Sequence, residues 1–332
     1  MGFPDRARHK QFYGIAEWYG RLFRTMDGKT RSELAASGSR LGAHPCPFLQ
    51  DVPRLGPKTG NLNCKKPGGV CSIRNFHDPS ASDGLDFGPI TTTCPNRFLE
   101  GGTIVAHIGR EVLGCEAPLV AKEIPFLKRS ASVAAQLAIT DEEEEADASD
   151  PTSAVIDKED VGKIDLVLVD PDRPENWCAV EIQAVYFSGK SMAGDITAIS
   201  THSGNGFPGP SGARRPDFRS SGPKRLMPQL MIKVPTLRRW GKKMVVVVDS
   251  EFHGAMDAMD RADHISNSDI VWIVADFDED APGDRAKLFV KKTVLSTLEE
   301  SVKALTSGRP TTLTEFEAKL AGKTQPLWPK TT

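Results

Sequence analysis

Two apolar runs on either side of a short polar turn carry acids where a buried strand tolerates them least. KIDLVLVD (163–170) and CAVEIQAVYF (178–187) are joined by PDRPENW, with the turn centred near Arg173 and Pro174. Runs of this length and composition predict strands over Lys163–Val169 and Cys178–Phe187. Glu181 and Gln183 are two residues apart, so they project from one face of their strand. Folding back about the turn sets Asp165 opposite the neighbourhood of Glu181 and Gln183. Burying carboxylates among Ile, Leu and Val is costly unless a cation or hydrogen bonds compensate. A divalent metal compensates, and it also lowers the pKa of bound water and stabilises charge on a phosphate. Hard oxygen ligands suit Mg²⁺, which keeps several waters and takes few carboxylates.

Cys46, Cys64, Cys71 and Cys94 form a second constellation, spaced C-x17-C-x6-C-x22-C in polar, turn-rich settings (PCPFL, LNCKK, GGVCSIR, TTCPNR). The spacing matches no compact zinc finger. Long loops nevertheless suit a four-thiolate site, because the metal itself closes them. Four thiolates select Zn²⁺ or a single iron, and the ligands alone do not separate the two. His44 and His77 are possible substitute ligands at the module's edge. Cys115 and Cys178 read as ordinary packing residues.

The expected architecture is α/β: a mixed central sheet flanked by helices, with a small loop-rich four-cysteine module. Residues 1–101 would hold an N-terminal helix (Phe12–Phe23, from Ile15, Trp18, Tyr19 and Leu22 at helical spacing) and that module. Residues 102–332 would hold the rest. There the pattern predicts a helix over 103–113, a strand over 118–127 with Glu123 embedded, strands over 244–249, 270–276 and 287–293, helix-like 251–262, and helices 297–305 and 313–320. DEEEEADASD (141–150) marks an acidic, flexible insert over 138–158. The Gly, Pro, Ser and Arg-rich stretch 201–223 reads as a long basic loop. A helix follows to Trp240, where Pro228 and Pro235 should bend or break it.

The formal net charge of −2 names no partner by itself. Local charge says more. Arg214, Arg215, Arg219, Lys224, Arg225, Lys233, Arg238, Arg239, Lys242 and Lys243 follow one another with Asp217 nearly the only acid. Such a stretch suits DNA phosphates and Arg-to-guanine contacts. No run approaches the roughly 18–20 apolar residues of a membrane helix. The charged start MGFPDRARHK leads into no apolar signal core, and Arg6 spoils a myristoylation pattern. A cytoplasmic location is the expectation, and in that compartment clustered cysteines are more often metal ligands or reactive thiols than disulfides.

An acid on one strand, then an acid, a spacer and usually a Lys on the next, is the layout of the PD-(D/E)xK nuclease core. Here Gln183 stands in the Lys position. CPFL, GGVC and CPNR, the IAEWYG segment, the strand CAVEIQAVYF and the terminal LWPK together resemble the NotI family of type II restriction endonucleases. The resemblance implies Mg²⁺-dependent cutting of GC-rich palindromic DNA by a homodimer. It also implies one structural iron on Cys46, Cys64, Cys71 and Cys94, and an active site of Asp165, Glu181 and Gln183. Glu123 is the candidate for the further upstream acid. Stretch 195–325 resembles the family only loosely, so no recognition sequence carries over. Two other readings fit the residues: a repair-type nuclease of the same fold with little sequence specificity, and a non-catalytic DNA-binding protein that uses the cysteine module for recognition.

Overall fold

Phe12–Trp18 forms a strand, β1, and not the expected helix. The computed structural model describes residues 12–37, 44–56, 60–76, 87–128, 160–202, 206, 208–210, 212, 214–306 and 311–324. The acidic insert, His77, the terminal LWPK and parts of the basic loop lie outside the described residues. After β1 the chain reverses at Tyr19 and Gly20, both at positive φ (46° and 78°), into β2 (Arg21–Leu22). β3 (Val70–Phe76) pairs antiparallel with β1, setting Tyr13 across from Asn75 and Ile15 across from Ile73. β4 (Thr91–Thr92) completes a four-stranded sheet of order β2-β1-β3-β4. Aromatic and β-branched side chains favour strand geometry, and a bulge between Ile15 and Glu17 shifts the alternation. Ile15, Ala16, Glu17 and Trp18 are consequently all buried, which mimics a helical stripe in the sequence. The buried Glu17 is compensated: Arg97 Nε donates to both its oxygens at 3.0 Å and Ser72 Oγ donates at 2.7 Å. Arg97 also donates to Glu100 and the Ala286 carbonyl, tying this sheet to the rest of the molecule.

The larger sheet has six strands. β5 (Leu119–Lys128), β6 (Asp160–Val169) and β7 (Trp177–Ile182) form an antiparallel meander. A small ribbon, β8 (Phe187–Gly189) with β9 (Arg214–Pro216), stands apart from it. β10 (Met244–Asp249), β11 (Ile270–Asp278) and β12 (Lys287–Ser296) finish the sheet in the order β12-β11-β10-β7-β6-β5. β10 runs parallel to both β7 and β11, and the other pairings are antiparallel. The run MVVVVD of β10 is buried along its whole length, as a central strand covered on both faces requires.

Helices among the described residues include α1 (Gly28–Ser37), α2 (Thr103–Ile108), α3 (Ala193–Thr201), α4 (Met227–Arg239), α5 (Leu298–Thr306) and α6 (Leu313–Ala321). α4 and α5 cover one sheet face, where Leu230, Val234, Leu237 and Leu305 meet Val246, Trp272 and Val294. On the other face the four cysteines, Phe48, Phe98 and Ile104 share one cluster with Leu166, Val180, Val245 and Val271. The expected mixed α/β sheet is present, with four local differences. Helix 251–262 shrinks to Ser250–Gly254. The strand expected to reach Phe187 ends at Ile182. The loop expected over 201–223 holds β9 and a helical turn, Phe218–Ser221, capped by Asp217. Pro228 and Pro235 do not break α4. Pro228 falls in its first turn, where no N–H is needed, and Pro235 lies on the exposed side.

Asp249 closes β10 against β4, accepting the Thr92 N–H at 2.6 Å and the Phe252 N–H at 2.7 Å. Burial pushes its carboxyl up to about 6. An unfolded Asp titrates near 4, so between those values the folded state holds the extra proton. The Asp249 contribution to stability therefore falls as pH rises through this window and is flat above it. Asp249→Asn is expected to lessen that fall by roughly 2–3 kcal/mol. Urea midpoints at pH 4, 5, 6 and 7 measure it, and a pH-independent difference from wild type contradicts this account.

Candidate active site

The register of the sheet draws three carboxylates into one row. Leu166 pairs with Val180, so one step further Asp165 lies across from Glu181. Lys122 pairs with Leu166 and Ile124 with Ile164, so Glu123 lies across from Asp165 on the other side. Glu123, Asp165 and Glu181 thus stand abreast on β5, β6 and β7, and Val246 continues the row on β10. The turn centre at Arg173 and Pro174 is the reason this register can be read from the sequence. Like charges directly abreast on neighbouring strands repel. Glu123 also holds φ +53°, a conformation that a non-glycine residue adopts at a cost of order 1 kcal/mol or more.

Each acid is placed differently. Glu123 is exposed on the edge strand. Asp165 is solvent-accessible, yet the protein mass around it raises its pKa, and Glu123 raises it further. Its Oδ2 accepts the Ile182 N–H at 2.9 Å, which pins it to the next strand. Glu181 is only 3% exposed. Burial, then the Asp165 charge, push its carboxyl up to about 7 against the opposing pull of Lys233. Gln183 lies one residue beyond the end of β7, where its N–H donates to the Val247 carbonyl at 2.9 Å and its Nε2 to the Ala184 carbonyl. Asp165, Glu181 and Gln183 line one cavity of about 460 Å³, together with Lys66, Arg225 and Gln229. Glu123 stands at its neighbour's shoulder and is not part of that lining.

Lys233 was expected in a DNA-contacting surface. It lies instead inside the protein, 3% exposed on the apolar side of α4. Its Nζ donates to Glu181 Oε1 at 2.6 Å, the Lys163 carbonyl at 2.6 Å and Gln229 Oε1 at 2.9 Å. The sequence signal was available, because Leu226, Leu230, Val234 and Leu237 form the buried stripe and Lys233 is its lone cation. Lys66 is the other residue that the sequence reading missed. It extends from the cysteine segment to the same cavity and donates to the Thr93 carbonyl.

The cationic stretch splits into groups. Arg214 is 3% exposed and paired with Asp195, with further bonds to the carbonyls of Tyr13, Lys190 and Ser191. Its guanidinium is fully engaged in joining α3, β9 and β1, which corrects the expectation of a DNA contact. Arg238 is bound by Asp269 and Glu299, and Lys242 lies over Trp177 at the start of β7. That end of the sheet is opposite the one holding Glu181 and Gln183, so Arg238, Arg239, Lys242 and Lys243 do not border the cavity. Arg215, Arg219, Lys224 and Arg225 remain exposed, and Arg225 stacks 3.7 Å from the centre of the Tyr186 ring.

Cys46, Cys64, Cys71 and Cys94 are all buried and unbridged by disulfides, and they belong to one cluster. A bridge between Pro45 and Asn63 brings the first two turns together. Cys94 donates its N–H to the Cys71 carbonyl, which joins the other two. Burial raises the thiols of Cys64, Cys71 and Cys94, and the neighbouring cysteines add to the rise. Among the described residues, however, no three His, Cys, Asp or Glu side chains close on a point that could hold a metal ion. The quartet therefore has the donor chemistry of a four-thiolate site without a closed cage. His44 directs its ring to Ser37 and packs against Tyr19. Cys178 is fully buried in β7, and burial pushes its thiol up to about 12, in keeping with a packing role.

Arg214→Ala is expected to cost about 3 kcal/mol or more, because it removes the cation that balances the buried Asp195. Arg215→Ala, one residue on and exposed, should stay within about 0.5 kcal/mol of wild type. Urea denaturation of both variants measures the contrast, and equal stabilities would show that Arg214 is not structural.

A search of curated proteins finds no match. The profile of the family described as restriction endonuclease NotI matches residues 31–144 and 148–288, most of the chain and every residue of the carboxylate row. The chain belongs to the NotI family of restriction endonucleases.

Proposed function

We propose that this protein is a Mg²⁺-dependent type II restriction endonuclease that hydrolyses both strands of a GC-rich palindromic site as a homodimer. The observation that carries the reading is that Asp165 and Glu181, abreast on neighbouring strands, open onto a cavity that Lys66 and Arg225 also line. Two carboxylates and a main-chain carbonyl are a sufficient protein contribution for Mg²⁺, which retains waters and needs no three-ligand cage. Asp165, Glu181 and the carbonyl of Ile182 would hold it, with Glu123 near enough to Asp165 to help bind a second cation or accept a proton. A metal bound there supplies an activated water and neutralises charge on the scissile phosphate. Gln183 orients the attacking water or a phosphate oxygen by hydrogen bonding. Lys66 and Arg225 present positive charge to the DNA backbone at the cavity, and Arg215, Arg219 and Lys224 extend it. Exposed arginines suit guanine readout in the major groove. A two-fold dimer gives one site per strand of a palindrome.

The cysteine quartet reads as a structural site for one iron or zinc. Four neighbouring buried thiols on separate turns offer a four-thiolate donor set, and a metal would fasten those turns together. Elemental analysis of purified protein should find about one iron or zinc per chain. Reddish protein with thiolate-to-iron absorption identifies iron. Protein free of both metals that folds and works normally would show that the thiols only pack.

Incubation with several plasmids and Mg²⁺ tests the activity. Discrete fragments that vanish in EDTA are expected, and a smear on every plasmid would favour a non-specific nuclease. Asp165→Ala and Glu181→Ala should each slow cleavage by at least about a hundred-fold, while metal-free DNA binding survives. Cleavage at wild-type rates in either variant contradicts the assigned roles.

A further inference from the structure

The lysine that the nuclease motif places two residues after its glutamate is Gln183 in this chain, yet a lysine reaches that glutamate from elsewhere. We propose that Lys233, delivered by helix α4, takes over the work of the missing strand lysine as the positioning residue for Glu181. This inference rests on the proposed nuclease reading and deepens it.

Three observations support the assignment. First, Lys233 Nζ contacts Glu181 Oε1 directly at 2.6 Å, whereas Gln183 turns its amide to the Ala184 carbonyl. Second, all three protons of the ammonium have acceptors: Glu181, the Lys163 carbonyl and Gln229. An ammonium held in that way has one position, so it fixes Glu181 as firmly as the strand does. Third, the two ends of the arrangement belong to the site. Lys163 lies two residues before Asp165 on β6, and Gln229, one helical turn before Lys233, lines the cavity with Asp165 and Glu181.

The geometry also explains why the strand position is free to be glutamine. Strand and helix lysines cannot both serve one carboxylate without placing two cations beside a metal site, where they would repel each other and the metal. Once α4 supplies the charge, the residue after Ile182 is left with neutral hydrogen-bonding work.

The test moves the lysine back. In the full-length protein, Lys233→Met is expected to bind DNA in EDTA within threefold of wild type, and to cleave it in Mg²⁺ at least a hundred-fold more slowly under single-turnover conditions. Adding Gln183→Lys to Lys233→Met should restore the rate at least ten-fold, because it returns a lysine to the strand beside Glu181. Lys233→Met that cleaves within threefold of wild type overturns the proposal. If Lys233→Met does not fold, the double variant decides: recovered fold with recovered cleavage supports it, and recovered fold without cleavage overturns it. If wild type itself cuts no DNA, the nuclease reading fails separately, and thermal melting then tests the pairing. A melting temperature lowered by Lys233→Met and regained in Glu181→Gln/Lys233→Met supports Lys233 as the partner that fixes Glu181. No drop, or no recovery, overturns it.

Discussion

A carboxylate at the middle of a buried sheet is the constraint around which the molecule is organised. Glu181 is flanked by Asp165 on β6 and by Val246 on β10, beneath the apolar face of α4. Alone it would be protonated or would destabilise the fold by several kcal/mol. Lys233 compensates it from the helix side, and this fixes where α4 must dock. α4 carries that one ammonium on its buried side, against β7. A sheet held together only by apolar contacts would allow α4 other registers. The ion pair and its three acceptors allow one.

The second consequence concerns the N-terminal third. Residues of the cysteine segment pack into the same cluster as Leu166, Val180 and Val245, so this segment covers the face of the sheet opposite α4. Arg97, bonded to Glu17, Glu100 and Ala286, secures it with a buried network in which every carboxylate has a cation. Lys66 projects from this segment into the cavity. The segment is thus a wall of the cavity as well as a cover for the core.

Much of the site was legible in the sequence because it depends on local rules. The turn centre at Arg173 and Pro174 fixes the β6–β7 register, and the period of two puts Glu181 and Gln183 on one face. Residues 118–127 were legible as a strand, observed as Leu119–Lys128, and register then brings Glu123 beside Asp165. What was not legible depends on long-range packing. Ile15, Trp18, Tyr19 and Leu22 show helical spacing, yet the partner strand Val70–Phe76, more than fifty residues away, holds Ile15 and Trp18 in a strand, with Tyr19 in the reversal after it and Leu22 in β2. Arg214 is indistinguishable from a surface cation in a basic stretch until Asp195 is known to face it, and Lys233 differs from its neighbours only in its place on α4. A lone lysine in the apolar stripe Leu226–Leu237 was the available clue. Pro228 and Pro235 leave α4 continuous, one in its first turn and the other on its exposed side, and neither placement follows from the residue type alone.

Diffraction from the protein–DNA complex soaked with Mn²⁺, read at the manganese absorption edge, tests the central claim most directly. The account predicts an anomalous peak bound by Asp165, Glu181 and the Ile182 carbonyl, adjacent to a backbone phosphate. A complex with DNA in place and no such peak, or a peak bound by other residues, would contradict it.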